Sequence, residues 1–397
     1  MVLPLPFLAV IGVAALAIGL GVFQKHQHQQ QQPIHIEPNE GITYVIGDLH
    51  GDADCGKYWV ERLGLIEDDV WMQPNASLVF LGDYVDKGPF SLQTIEFVKS
   101  LTDRFPDKVT ALLGNHELEL LRDRHDETVV KYVHLAYSAV HPEDFLNYID
   151  EPTDEDRQII DVIINASIEI YSHRMQQQML ATPVAHAHAY NRNSLFELFA
   201  EEDRPYLQQK MALYQQAYLQ TFASNTTLGK WLETRKIIHV ENGVVFCHGG
   251  LSEGIIDQIN QVGGVEAFNE LFQQNADDQT IHKFLQTPKG KAVYNMLVYR
   301  GNHQPEACPS LQRILEQLNV TKLAVGHTPG QNVRTLCEEQ FWALDSLLGR
   351  WIRTSGNQYC PVEGRSSQNG RFVCPPLTKS CMGQVTRFAN GKVDILT

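Results

Sequence analysis

Gly82-Asp83-Tyr84-Val85-Asp86-Lys87-Gly88-Pro89 follows the apolar run Ser77-Leu78-Val79-Phe80-Leu81. The run reads as a buried strand. Two carboxylates and a cation therefore occupy a glycine-bounded loop at the carboxyl end of a strand, the place where open α/β sheets bind ligands. Gly-Asp turns after strands are common, so one such loop says little. Its company says more: Gly47-Asp48-Leu49-His50-Gly51 precedes it, and Gly114-Asn115-His116-Glu117, Cys247-His248-Gly249-Gly250 and Gly326-His327-Thr328-Pro329 follow. Each comes at the end of an expected strand.

Working outward, Ile42 to Ile46 reads as the first strand, about Asp52 to Leu65 as a helix, and Ser77 to Leu81 as the second strand. Ser91 to Phe105 has helical spacing and stops at Pro106. Lys108 to Leu113 is the third strand. This alternation marks a layered α/β fold. Asn242-Gly243 sits between two apolar runs as a hairpin turn, and Asn390-Gly391 signals another. Further strands are expected at Lys322 to Val325 and Phe341 to Ser346, with a helix over Leu311 to Leu318 before them. Asn357 to Gly383 reads as irregular.

Residues 118–235 break the alternation. They are mostly helical in period, clearest at Asp154 to Met179 and Pro205 to Ala223, and read as an insertion capping the site. His134, His141, His173, His186 and His188 lie in it; the His186-x-His188 pair suggests a metal ligand, but in a loop beside Pro183 and Asn191 it reads as a surface feature. Residues 41–397 form one domain around this insertion.

Val2 to Phe23 carries no charged residue. Its length suits a bilayer-spanning helix, about 20 residues, better than the shorter apolar core of a cleaved signal. The expectation is a membrane location through a single-pass N-terminal anchor over residues 1–23, in the secretory pathway, with the catalytic side undetermined. The Gln- and His-rich residues 24–40 read as a disordered linker. Asn-x-Ser/Thr triplets begin at Asn75, Asn165, Asn225 and Asn319, and lean toward a lumenal or external face.

The formal net charge is -15, with no basic stripe. That argues against nucleic-acid binding, which neutralises phosphates with Lys and Arg. It leaves room for a phosphorylated substrate, because metals can reverse the field inside a cleft. The chain has seven cysteines and no Cys-x-x-Cys pair. Cys55 and Cys247 read as small packing residues. Cys308, Cys337, Cys360, Cys374 and Cys381 gather late, where one or two disulfides could form in an oxidising compartment.

The strand-end loops offer Asp48, His50, Asp83, Asn115, His116, His248 and His327. Carboxylate, imidazole and amide donors together suit Mn, Fe or Zn. A pair of such metals needs a bridging carboxylate, and Asp83 is the obvious one.

Gly-Asp-x-His-Gly, Gly-Asp-x-x-Asp-x-Gly, Gly-Asn-His-Glu, His-Gly-Gly and Gly-His-Thr together resemble the calcineurin-like metallophosphoesterases, in particular the phosphoprotein phosphatase family. Val298-Tyr299-Arg300-Gly301, Cys308-Pro309 and Ala324-Val325-Gly326-His327-Thr328-Pro329 are similar to the Shewanella-like protein phosphatases. The resemblance runs from about Gly41 to Ser346. It implies an α/β fold, a two-sheet sandwich flanked by helices, with the site at the strand ends. It implies that Asp48, His50 and Asp83 hold one divalent metal, and Asp83, Asn115, His248 and His327 a second. His116 would be the general acid, oriented by Asp86, while Lys87 and Arg300 bind the substrate phosphate; His303 reads as a packing residue.

The implied reaction is hydrolysis of phosphomonoesters on a phosphorylated protein, by direct attack of a hydroxide lying between the metals. Lys87 departs from the family, which usually has Arg there. Lys is a point charge where Arg is a planar fork, and Lys-Gly-Pro is similar to the branch acting on dinucleoside polyphosphates or polyphosphate. That is the alternative. A tethered binding protein with a dead site is a third reading, and no ligand is missing to support it.

Overall fold

The computed structural model describes residues 41–124, 140–164, 166, 196, 199–350, 366–368, 371–373 and 380–397. The expected anchor and linker (1–40), His134, His173, His186, His188, Asn165, Cys360 and Cys374 lie outside them.

Two five-stranded mixed sheets form the centre. The first contains β1 (Ile42–Ile46), β2 (Ala76–Phe80), β3 (Val109–Ala111), and, from the far end of the chain, β9 (Val385–Ala389) and β10 (Lys392–Leu396). The second contains β4 (Ile238–Glu241), β5 (Val244–Cys247), β6 (Lys322–Val325), β7 (Arg334–Leu336) and β8 (Phe341–Ala343). The spatial orders are β10-β9-β1-β2-β3 and β4-β5-β6-β8-β7. β1, β2 and β3 run parallel, as do β5, β6 and β8. Each parallel set therefore brings its carboxyl ends to one edge. Both Asn-Gly hairpins form as expected, joining β4 to β5 and β9 to β10.

Side-chain alternation explains the layering. Val45, Val79, Leu112, Val244, Phe246, Ala324, Trp342 and Phe388 form one buried cluster drawn from both sheets. Their neighbours Tyr44, Ile46, Leu78, Phe80, Val245, Cys247 and Leu323 belong to a second cluster with helical residues such as Trp59, Ile95, Leu118 and Met296. Each sheet thus buries one face on the other sheet and one on helices. The helices used below are α1 (Ala53–Arg62), α2 (Ser91–Arg104), α3 (Asn115–Asp123), α4 (Arg204–Thr221), α5 (Thr227–Glu233) and, later in the chain, α6 (Cys308–Leu318).

Several expectations need correction. α1 stops at Arg62 rather than Leu65, where Gly64 turns at φ 61°, and a small hairpin, Ile66–Glu67 with Val70–Trp71, follows. Short strands Ser366–Gln368 and Arg371–Val373 pair inside the span expected to be irregular. Cys55 is not a free packing residue: it is disulfide-bonded to Cys381, while Cys308 pairs with Cys337. Cys247 is free and buried, as read. No helix among the described residues is long and apolar enough to cross a membrane.

Candidate metal centre

The close approach of two loops begins the site. Gly82 sits at φ 98°, and a Cβ there would come within 2.3 Å of the Gly114 nitrogen. A Cβ on Gly114 would lie 2.2 Å from Asp83 Oδ1. Only glycine lets the loops after β2 and β3 touch. Glu117, in the first turn of α3, then ties them together. One of its carboxylate oxygens accepts the N–H groups of Asp83 (2.9 Å) and Gly114 (2.9 Å). The other accepts those of Tyr84 (2.7 Å) and Val85 (3.1 Å). Burial pushes the Glu117 carboxyl up to about 6, against these donors.

The loops are held in an unfavourable conformation. His50, Asp83, Asp86, Lys87 and His327 all have positive φ, at 45°, 57°, 70°, 67° and 64°. Non-glycine residues rarely adopt this region, and such strain gathers where function needs a particular geometry.

Asp83 is the hub. Its Oδ2 lies 3.2 Å from His248 Nε2, 3.5 Å from His50 Nε2 and 3.8 Å from His116 Nε2. Two histidines are turned by backbone carbonyls so that Nε2 faces inward: His248 Nδ1 pairs with the Leu81 carbonyl at 2.8 Å, and His50 Nδ1 with that of Val85 at 3.2 Å. Such outer contacts fix tautomer and ring orientation. Asn115 Oδ1 lies 3.1 Å from His248 Nε2. Asp48 accepts from the His327 backbone N–H, and its Oδ2 is 3.8 Å from His50 Nε2. All six expected ligands therefore converge, with Asp83 common to the group His50, Asp83, His116 and the group Asp83, His248, His327.

The donor set fits a pair of divalent cations. Burial, reinforced by Asp345, holds the Asp48 carboxyl well above its ordinary value. Burial likewise opposes charge on Asp83, but His248 and His116 outweigh it and hold that carboxyl low. Burial lowers both His50, where Lys87 adds to it, and His327, the latter to about 3. His248 is pushed up to about 9 because Asp83 and Asp48 outweigh its burial. Buried carboxylates repelling one another, beside the imidazoles of His50 and His327 that burial keeps neutral, form a field that metal cations satisfy.

His116 is placed differently. Its Nδ1 meets Asp86 Oδ2 at 2.6 Å, and Asp86 Oδ1 faces the Tyr218 hydroxyl of α4 at 3.4 Å. Burial opposes charge on His116, but Asp83 and Asp86 raise its pKa above the ordinary imidazole value. Lys87 Nζ lies 2.8 Å from His50 Nε2, and Arg300 Nε donates to His327 Nε2 at 3.1 Å. Both expected phosphate-binding cations thus border the expected metal ligands. His303 packs edge-on against Phe341, with ring centroids 4.9 Å apart, as a packing residue would.

Sequence reasoning missed Asp345. It follows β8 and is 1% exposed. The strand-end rule used for the other loops would have found it, had Phe341 to Ser346 not been read as strand throughout. The roles of Glu117 and Tyr218 were also missed. Glu117 stands in the motif, and an acid at this helix position is a capping signal. Tyr218 has no local signal, because it arrives from the insertion.

Residues 43–167 match the sequence model of the calcineurin-like phosphoesterase family. The serine/threonine-protein phosphatase ppe1 of Schizosaccharomyces pombe is 35% identical over 101 residues, 25% of this chain and 31% of its own length. The serine/threonine-protein phosphatase SIT4 of Candida albicans is 37% identical over 21% of this chain and 26% of its own. These matches thus span only about a quarter to a third of those relatives. An uncharacterised Schizosaccharomyces pombe protein is 25% identical over 320 residues, covering 77% of this chain and 73% of its own. Among solved structures, the cold-active protein-tyrosine phosphatase of a psychrophilic Shewanella species shares the fold at TM-score 0.52 and 17% identity, over 90% of this chain and 80% of that one.

Proposed function

We propose that this chain is a metal-dependent phosphoprotein phosphatase that hydrolyses phosphomonoesters. The observation that carries the reading is the placement of the His116–Asp86 pair, joined at 2.6 Å, against the shared carboxylate Asp83. A proton donor then stands beside a divalent-metal centre, the arrangement that phosphoryl transfer to water requires. The names of the relatives ppe1 and SIT4 support the substrate class.

Asp48, His50 and Asp83 would hold one metal, and Asp83, Asn115, His248 and His327 the other, with Mn, Fe or Zn suited to these donors. When bound, the metals supply a water that is nucleophilic at neutral pH and positive charge for the phosphoryl oxygens. Asp86 fixes the His116 ring, so that Nε2 carries the proton for the departing alkoxide or phenoxide oxygen. Lys87 and Arg300, bordering the ligands, hold the phosphoryl oxygens and offset the charge that builds there.

A second reading, hydrolysis of phosphoanhydrides such as dinucleoside polyphosphates or polyphosphate, rests on Lys87 standing where the phosphatases carry Arg. One assay separates the two: phosphate release from phosphoserine, phosphothreonine and phosphotyrosine peptides against release from anhydrides, with Mn present. Faster turnover of peptides is expected; a tenfold preference for anhydrides reverses the order. We also infer that Val2 to Phe23 anchors the chain in a membrane of the secretory pathway, supported by its uncharged length.

A further inference from the structure

We propose that the phosphoesterase domain lies on the oxidising side of its membrane and carries N-linked oligosaccharides at Asn75, Asn225 and Asn319. The first observation is the disulfides. Cys55–Cys381 joins α1 to the segment before β9, and Cys308–Cys337 joins α6 to the turn between β7 and β8. Bonds of this kind persist in secretory and external compartments and are rare where thiols are kept reduced.

The second observation is independent of the cysteines. Asn75-Ala76-Ser77, Asn225-Thr226-Thr227 and Asn319-Val320-Thr321 are acceptor triplets with no proline at the middle position. Their asparagines are all exposed, whereas the buried asparagines Asn115, Asn269 and Asn302 begin no triplet. Asn75 immediately precedes β2, and Asn319 caps α6 in the left-handed conformation just before β6. The metal loops leave the opposite, carboxyl ends of those strands. Glycans at Asn75 and Asn319 therefore leave the cleft open to a large substrate.

In the modification, the asparagine amide nitrogen bonds to the anomeric carbon of a lipid-linked oligosaccharide. The bond from that carbon to the pyrophosphate oxygen breaks, the lipid pyrophosphate departs, and the amide proton is lost to a base of the host transferase. Each disulfide forms as two thiols pass two electrons and two protons to the compartment's dithiol–disulfide oxidants.

The test is full-length chain expressed in eukaryotic cells, digested with an amidase that releases N-glycans in heavy-oxygen water, and mapped by peptide mass under non-reducing conditions. Expected are heavy-oxygen aspartate at positions 75, 225 and 319 and a Cys55–Cys381 linked peptide. Single Asn75→Gln, Asn225→Gln and Asn319→Gln variants should each remove one glycan and leave phosphate release unchanged. Unmodified Asn75 and Asn319, or Cys55 and Cys381 recovered as thiols, would overturn the proposal. The readout is mass, so its failure is separate from any failure of the phosphatase reading.

Discussion

Glu117 shows how one buried side chain organises a site. Four backbone donors on two loops converge on it, and it is fully buried. Glu117→Ala orphans those donors, so stability should fall by about 3 kcal/mol or more in a denaturant titration. Metal binding should weaken with it, because Asp83 is no longer held. His116→Asn is a different experiment. It should leave the fold and metal content intact, yet lower turnover on poor leaving groups by about 100-fold or more. Unchanged turnover on a phosphoserine peptide would remove His116 from the role of acid. The candidate ligand residues were legible because each stands beside a glycine after an apolar run. Tyr218 and Asp345 were not, since one comes from a distant insertion and the other lay inside an expected strand.

At the level of elements, the insertion returns a short helix, Pro142–Tyr148, onto α2. Asp144 in it accepts the Ser91 N–H at 3.0 Å. His141 caps this helix, its Nδ1 accepting the Glu143 N–H at 3.2 Å. Burial lowers the His141 pKa to about 3. Its folded value lies below the unfolded value near 6.5, so its stabilising contribution is full above about pH 6.5 and declines as pH falls toward 3. Asp144, pushed up to about 7 by burial, acts in the opposite sense, losing stability as pH rises toward 7. Wild type alone would blend the two. His141→Asn keeps a capping acceptor and removes the titration. Between pH 7 and pH 5 its stability relative to wild type should rise by about 2 kcal/mol; an unchanged gap in urea titrations would contradict this. Replacing both Cys55 and Cys381 by Ser should cost about 2–5 kcal/mol, seen in the same titrations. That pairing was hidden in the sequence because its partners lie 326 residues apart, and only the return of the tail to β1 brings them together.

For the whole molecule, the strand–helix alternation made the first sheet legible, and the two Asn-Gly turns located both hairpins. How the sheets face each other was legible only through the resemblance: apolar runs such as Leu78-Val79-Phe80 are buried on both faces, so their pattern does not say which face meets the other sheet. The net charge of -15 places the site in an acidic background, which raises the local concentration of cations and disfavours acidic phosphopeptides. The central claim is that two divalent metals share Asp83. Metal analysis of dialysed, Mn-reconstituted protein tests it most directly. The account predicts about two equivalents per chain in wild type and no more than one in Asp83→Asn; a single equivalent in wild type, or two retained by the variant, would contradict it.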